Sequence, residues 1–232
     1  MGFLSQRKMS ATEKTLKKQL FESLRQDFGN EGFKLVLAKG TYTRRSPGMA
    51  HIFYLVSRMF QPSGWGIRPE VGIRIDPVEE IFHKVSGTPP QYHKESVTIG
   101  APLGTILWGD FRKYEFDLIE EADLPKAAQG MHKAFHEFAL PFFQKNGSLE
   151  AIDTLLNADP GNPERLFGPG GYGILRSTIV AKLVNRPDYD SLVQAYSKQI
   201  APLDGGFHVQ KFQTLLALLE STSPLSKASL TS

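Results

Sequence analysis

Across 232 residues, 41% apolar content is enough to bury a core unaided, and zero cysteines remove disulfides, thiolate nucleophiles, iron–sulfur clusters and cysteine zinc sites from consideration. The net charge of +3 is small but uneven: residues 1–50 hold ten Lys/Arg against four Asp/Glu, and residues 110–160 hold ten acidic against five basic residues. No window approaches the ~20 apolar residues of a membrane span, and Met1-Gly2-Phe3-Leu4-Ser5-Gln6-Arg7-Lys8 has no signal-peptide apolar region, so a cytoplasmic protein without a membrane partner is expected.

Residues 1–9 read as a flexible leader. Ser10-Ala11-Thr12-Glu13 has the form of a capping box, and Leu16, Leu20, Leu24 and Phe28 then recur every fourth residue until Gly29 offers a C-cap. Phe33–Leu37 and Thr41–Arg45 flank a Lys39-Gly40 turn, and a longer run covers Ala50–Phe60, which together predict an antiparallel meander. Val71, Ile73 and Ile75 alternate with Gly72, Arg74 and Asp76, the pattern of a strand with one buried face, extending over about Trp65–Ile75.

Asp76-Pro77-Val78-Glu79 then starts a short helix with Asp76 as cap and Val78, Ile81, Phe82 and Val85 as its apolar stripe. Val97–Ile99 and Tyr114–Leu118 are strand-like. From Asp123 a helix carries Met131, Phe135, Phe138 and Phe142 on a core-facing stripe until Pro141 kinks or ends it. Ser148 caps a further short helix with Leu149, Ile152, Leu155 and Leu156. Asp159-Pro160-Gly161-Asn162-Pro163 is the clearest break, followed by helices over Gly173–Val184, Pro187–Ile200 and Phe207–Leu219.

The fold expected is α+β: an antiparallel sheet of five or six strands packed against helices within residues 10–158, a C-terminal helical subdomain at 164–221, and a disordered tail at 222–232. No internal repeat is visible.

Among candidate chemical motifs, His132 and His136 lie four apart, so their rings share one helix face and suit a metal. They do not form HExxH, since Glu137 follows the second histidine, and a third ligand would have to come from His83, His93 or a distant carboxylate. Gly168-Pro169-Gly170-Gly171-Tyr172-Gly173 formally matches GxGxxG but lacks a preceding strand, and a connection or contact surface is the reading it favours over a dinucleotide loop. No nucleophile elbow, phosphate loop or kinase signature accompanies these residues. A non-catalytic protein is therefore expected, with no cofactor.

Two surfaces suit partners. Acids and aromatics at Trp108, Asp110, Tyr114, Glu115, Asp117, Glu120 and Glu121 suit a basic protein partner. The basic N-terminal third, with Lys39, Arg44 and Arg45, offers nucleic-acid binding as the alternative, and an enzyme whose site assembles only in the fold is the third possibility. Tyr42, Arg44, Arg45, His51 and Trp65 lack the signature of an RNA-binding sheet, and sheet packing is their expected purpose.

Gly32-Phe33-Lys34 entering the meander, the aromatic-rich second strand, Glu70-Val71-Gly72-Ile73, Ala101-Pro102-Leu103-Gly104 and Leu140-Pro141-Phe142-Phe143 follow one another in an order that resembles the bacterial domain of unknown function 4304 family. The resemblance covers about residues 10–145. It carries no catalytic residues, and related domains occur among toxin-immunity proteins. What it implies is an immunity or antitoxin-like inhibitor that occludes a cognate toxin; on the residues themselves, the acids around Asp110 to Asp123 would meet a basic cleft with Trp108 or Tyr114 as anchors.

Overall fold

The computed structural model describes residues 11–60, 64–162, 167 and 170–225. Its first element, α1 (Ala11–Asn30), buries the expected Leu16, Leu20, Leu24 and Phe28, and Phe21 beside them. Ser10, the expected cap, lies outside the described residues, as do the leader at 1–9 and residues 226–232 of the expected tail. The helix runs past Gly29 to Asn30. Gly32 is the residue that turns left-handed, at φ 79°. Its amide donates to the Gly29 carbonyl at 2.9 Å, and the Phe33 amide donates to the Phe28 carbonyl at 3.1 Å. This paired ending needs its left-handed position free of a Cβ clash, so Gly32 stops the helix and Gly29 does not.

The strands β1 (Lys34–Val36), β2 (Thr41–Ser46), β3 (Met49–Phe60), β4 (Gly64–Ile75), β5 (Ile99–Pro102) and β6 (Phe116–Asp117) form one six-stranded sheet in the order β1-β2-β3-β4-β5, with β6 also on β4. The sheet is antiparallel in a fold that is α+β, as expected. Lys34 pairs with Thr43 and Val36 with Thr41 in β1–β2, and Gly66 pairs with Asp117 in β4–β6. Two expectations shift. The first strand is shortened because Leu37–Lys39 form a 3-10 turn that ends on Gly40 at φ 63°. The strand expected at Val97–Ile99 begins only at Ile99, and Thr98 is used for anchoring instead: its amide donates to the Ile73 carbonyl at 2.9 Å and its hydroxyl accepts from the Ile75 amide at 3.0 Å.

A further correction concerns β4, which is covered on both faces. Arg68 and Arg74 are buried along with Val71, Ile73 and Ile75. Each arginine pairs with an acid two residues on: Glu70, at the same face of the strand, for Arg68, and Asp76, the first residue of the following helix, for Arg74. The nearby acid, joined at Arg68 by Glu115, is what permits burial. The pairing with Arg74 also displaces the expected cap of α2 (Asp76–Ser86). The Asp76 carboxylate accepts from Arg74 Nε at 2.6 Å and makes no capping bond to that helix.

Beyond β5 come α3 (Leu103–Trp108) and then α4 (Leu124–Lys133), whose expected stripe is corrected in register. A π-helical turn, Ala134–Ala139, precedes α5 (Leu140–Lys145), and this turn adds a residue to the circuit. The inward positions become Met131, Phe135, Ala139 and Phe143, all buried, while Phe138 and Phe142 are half-buried. Pro141, lacking an amide hydrogen, sits where α5 starts and does not end the helical run.

The chain forms two compact units interleaved along the sequence: Met1–Arg44 with Phe53–Glu70 and Pro102–Leu140, and Arg45–Ile52 with Val71–Ala101 and Pro141–Ser232. In the first, Phe28 is the hub of an aromatic core, with ring centroids 4.7 Å from Tyr42, 5.6 Å from Phe53 and 3.9 Å from Phe135. The second unit includes α2, α6 (Leu149–Asn157), α7 (Gly170–Leu183), α8 (Tyr189–Ile200) and α9 (Val209–Glu220), in which α7 packs on each of the other four. Ser148 caps α6 as expected, accepting from the Ala151 amide at 3.1 Å. No helix among the described residues is long and apolar enough to cross a membrane.

Candidate functional site

The acidic–aromatic stretch in the first unit is built from α3, the 3-10 turn Phe111–Tyr114 and β6. Gly104 allows α3 and the turn to approach, since a Cβ there would lie 2.6 Å from the Asp110 carbonyl oxygen. Asp110 caps the turn by accepting from the Arg112 amide at 3.0 Å and from its guanidinium at 3.1 Å. These bonds from Arg112 hold the Asp110 carboxyl below its ordinary value.

Below the turn lies Arg68, 1% exposed, its guanidinium bound to Glu70 at 2.5 Å and to Glu115 at 3.3 Å, with Phe111 5.1 Å above it. Burial pushes the Glu115 carboxyl up while Arg68 draws it down. The apolar side chains here face outward: Trp108 and Phe111 are each 46% exposed and Ile119 44%. Trp108 leans on Tyr114, with centroids 5.3 Å apart, and Tyr114 on Phe138 at 5.9 Å.

The structure therefore sorts the sequence-derived residues into two groups. Trp108, Asp117, Glu120 and Glu121 are exposed, whereas Asp110, Tyr114 and Glu115 are half-buried. The Glu120 carboxylate also closes a capping box with Asp123, which accepts from the Glu120 amide at 3.0 Å and the Ile119 amide at 2.8 Å. Asp117 and Glu121 are thus the acids presented outward. Sequence reading missed Phe111 and the buried Arg68 beneath it; the available signal was the Arg-x-Glu spacing at Arg68 and Glu70.

The basic residues proposed for nucleic acid do not form one face. Arg44 lies 4.8 Å over the Phe33 ring and donates to the Glu31 carbonyl at 3.3 Å. Arg45, the next residue along β2, points to the other face and pairs with Asp76 at 3.9 Å. Lys39 is exposed in its 3-10 turn. Tyr42 is fully buried and its hydroxyl donates to the Phe21 carbonyl, with burial raising its pKa, so it is a core residue and no base platform.

The two helical histidines gain a third group from 105 residues away in sequence. Asp27 of α1 meets His132 Nδ1 with Oδ2 at 2.7 Å and His136 Nε2 with Oδ1 at 3.0 Å. His83 and His93, the other ligands considered, instead stack on each other in the second unit at 3.8 Å.

That pair borders the most buried ionic group among the described residues of the second unit. Glu79, 0% exposed, receives Arg176 Nε at 2.8 Å and Nη2 at 2.9 Å, and the Thr98 hydroxyl at 3.1 Å. Burial alone would raise the Glu79 carboxyl, but Arg176, Ser96 and Thr98 outweigh it and hold it below its ordinary value. The glycine-rich segment has a packing purpose: Gly170 opens α7 at φ 68°, and a Cβ at Gly171 would lie 2.2 Å from the His208 ring. Gly168 and Pro169 lie outside the described residues.

Comparison of the chain with protein-family models, curated proteins and solved structures finds no match in any of the three.

Proposed function

We propose that this chain is a non-catalytic, cytoplasmic protein-binding protein that docks a basic protein surface through residues 108–121, acting as an immunity or antitoxin-like inhibitor that occludes a toxin. The observation that carries this reading is the outward exposure of Trp108, Phe111 and Ile119 in a stretch that also presents Asp117 and Glu121. Large apolar side chains held out of a core with acids beside them suit the anchors and rim of a protein interface. Arg68 and the Asp110 cap hold that surface in place before any partner arrives, which lowers the ordering cost of binding. The toxin as partner rests on the resemblance carried by Gly32-Phe33-Lys34 and the later segments.

The test is parallel capture from nuclease-treated lysate with tagged wild type, Trp108→Ala, the pair Asp117→Lys/Glu121→Lys, and the pair Lys39→Ala/Arg45→Ala. A stoichiometric protein is expected on wild type and on the basic-residue variant, and lost from the other two. Trp108→Ala should weaken it by about 2 kcal/mol, ~30-fold in Kd, as an interface anchor does. Charge reversal should slow association and reduce its salt sensitivity. The captured protein's own activity should fall when the chain is added back. Equal capture by all variants overturns the surface assignment, and recovery of nucleic acid alone without nuclease, lost with Lys39→Ala/Arg45→Ala, replaces it with the nucleic-acid alternative.

A further inference from the structure

We infer that Asp27, His132 and His136 form a binding site for one divalent transition-metal ion of the zinc class. Their donor atoms all lie within 4.8 Å of one another, the one such group of three among the described residues. Metal–ligand bonds of about 2.0–2.2 Å place neighbouring donors roughly 2.8–3.6 Å apart around an octahedral or tetrahedral ion. From the single donor Asp27 Oδ2 the edges to His132 Nδ1 and His136 Nε2 are 2.7 and 3.1 Å, already near that spacing. Two imidazoles and one carboxylate suit Zn²⁺, Co²⁺, Ni²⁺ or Cu²⁺, whereas Mg²⁺ and Ca²⁺ prefer oxygen alone.

The backbone under these ligands is rigidly held. Phe28 and Phe135, the chain neighbours of Asp27 and His136, are both 0% exposed and stack at 3.9 Å with planes 23° apart. Phe135 also meets the His136 ring edge-on at 5.1 Å, restricting its rotation. His136 stands in the π-helical turn Ala134–Ala139, an irregularity that recurs at functional sites. Preorganised ligands on helices are what a metal site requires. The site opens outward, with the His132 side chain 57% exposed, the His136 side chain 28% and that of Asp27 33%. Three protein donors leave further coordination positions for water or for a donor from a partner. A bound ion ties α1 to the helix of His132 and His136 and stabilises the folded chain by mass action.

The test uses the full chain, free of any tag and dialysed against chelator, titrated with Zn²⁺ by calorimetry and with Co²⁺ by visible absorption. Expected are one ion per chain, a ligand-field spectrum with Co²⁺, and a melting temperature that rises with free Zn²⁺. Imidazole ring resonances of His132 and His136 should shift on zinc addition while those of His51, His83, His93 and His208 stay. His132→Gln, at an exposed position, should retain the metal-free melting temperature and lose affinity roughly tenfold or more. His136→Gln and Asp27→Asn should do the same to affinity. A folded wild-type chain that shows no saturable binding of either ion overturns the inference. So does an affinity unchanged in His132→Gln/His136→Gln, which would place the ion elsewhere.

Discussion

Glu79→Gln is the perturbation whose size the structure specifies best. The glutamine keeps the shape of the side chain and removes its charge, leaving the Arg176 guanidinium, with a side chain only 15% exposed, without its counter-ion. Two charge-assisted bonds at 2.8 and 2.9 Å are weakened together. Breaking a buried pair from one side costs about 3–5 kcal/mol. The residual exposure of Arg176 places the expectation at the lower end, about 3 kcal/mol, or roughly 6–12 °C in Tm for a chain of this size.

The double variant Glu79→Met/Arg176→Met should behave differently. It removes both charges, and Met at 176 keeps an apolar group near Phe82, over whose ring the guanidinium now lies at 3.6 Å. The remaining loss is the acceptor that Glu79 offers to Thr98 and Ser96, about 1 kcal/mol for each bond. Urea unfolding followed by circular dichroism, with linear extrapolation, gives both values. The pH dependence has a definite sign. The carboxyl of Glu79 sits below its ordinary value in the folded state, so its stabilisation is complete above about pH 4.3 and is lost as pH falls through the folded pKa. The gap between wild type and Glu79→Gln should therefore be widest and level near pH 7, above the titration of the neighbouring His83, and narrow in acid. A loss under about 1 kcal/mol, or a double variant less stable than Glu79→Gln, would refute the view that an unbalanced buried charge dominates.

Three further outcomes are expected. Gly130→Ala should destabilise the chain by about 1–3 kcal/mol despite the better helix propensity of alanine, because its methyl would lie 2.2 Å from the Phe116 ring; Gly29→Ala, in α1 with open space around it, should stabilise by roughly 0.5–1 kcal/mol, and paired urea titrations distinguish them. Burial, and then the neighbouring His93, lower the His83 pKa, and its Nδ1 has no hydrogen-bond partner among the described residues, so the folded state favours the neutral ring. That contribution is complete above about pH 6.5 and declines as pH falls below it, since the unfolded chain takes up the proton first. His83→Phe, which retains a ring to stack on His93, should give a flatter stability profile between about pH 5 and 6.5, and an unchanged slope would remove His83 as its source.

What the sequence determined by itself is the set of elements whose causes are local. The four-residue repeat from Leu16 to Phe28 becomes the buried face of α1, the alternation around Val71 becomes β4, and Ser148 caps α6. Each depends on contacts within a few residues, which periodicity and turn chemistry record directly. Trp108, Asp117, Glu120 and Glu121 were legible as a polar, aromatic stretch for the same reason, and the turns that carry them are capped at short range by Asp110 and Asp123.

Only the tertiary structure decided which long-range partner completes each group. Asp27 looks like any charged helical residue until the stacking of Phe28 on Phe135 brings it to His132 and His136. Arg68 reads as the polar face of a strand until Glu115, from 47 residues on, neutralises it under Phe111. Glu79 reads as a first-turn helix acid until Arg176 and Thr98 enclose it. In each of these three groups the completing partner is delivered by another element, and the pattern of either segment taken alone carries no record of that meeting.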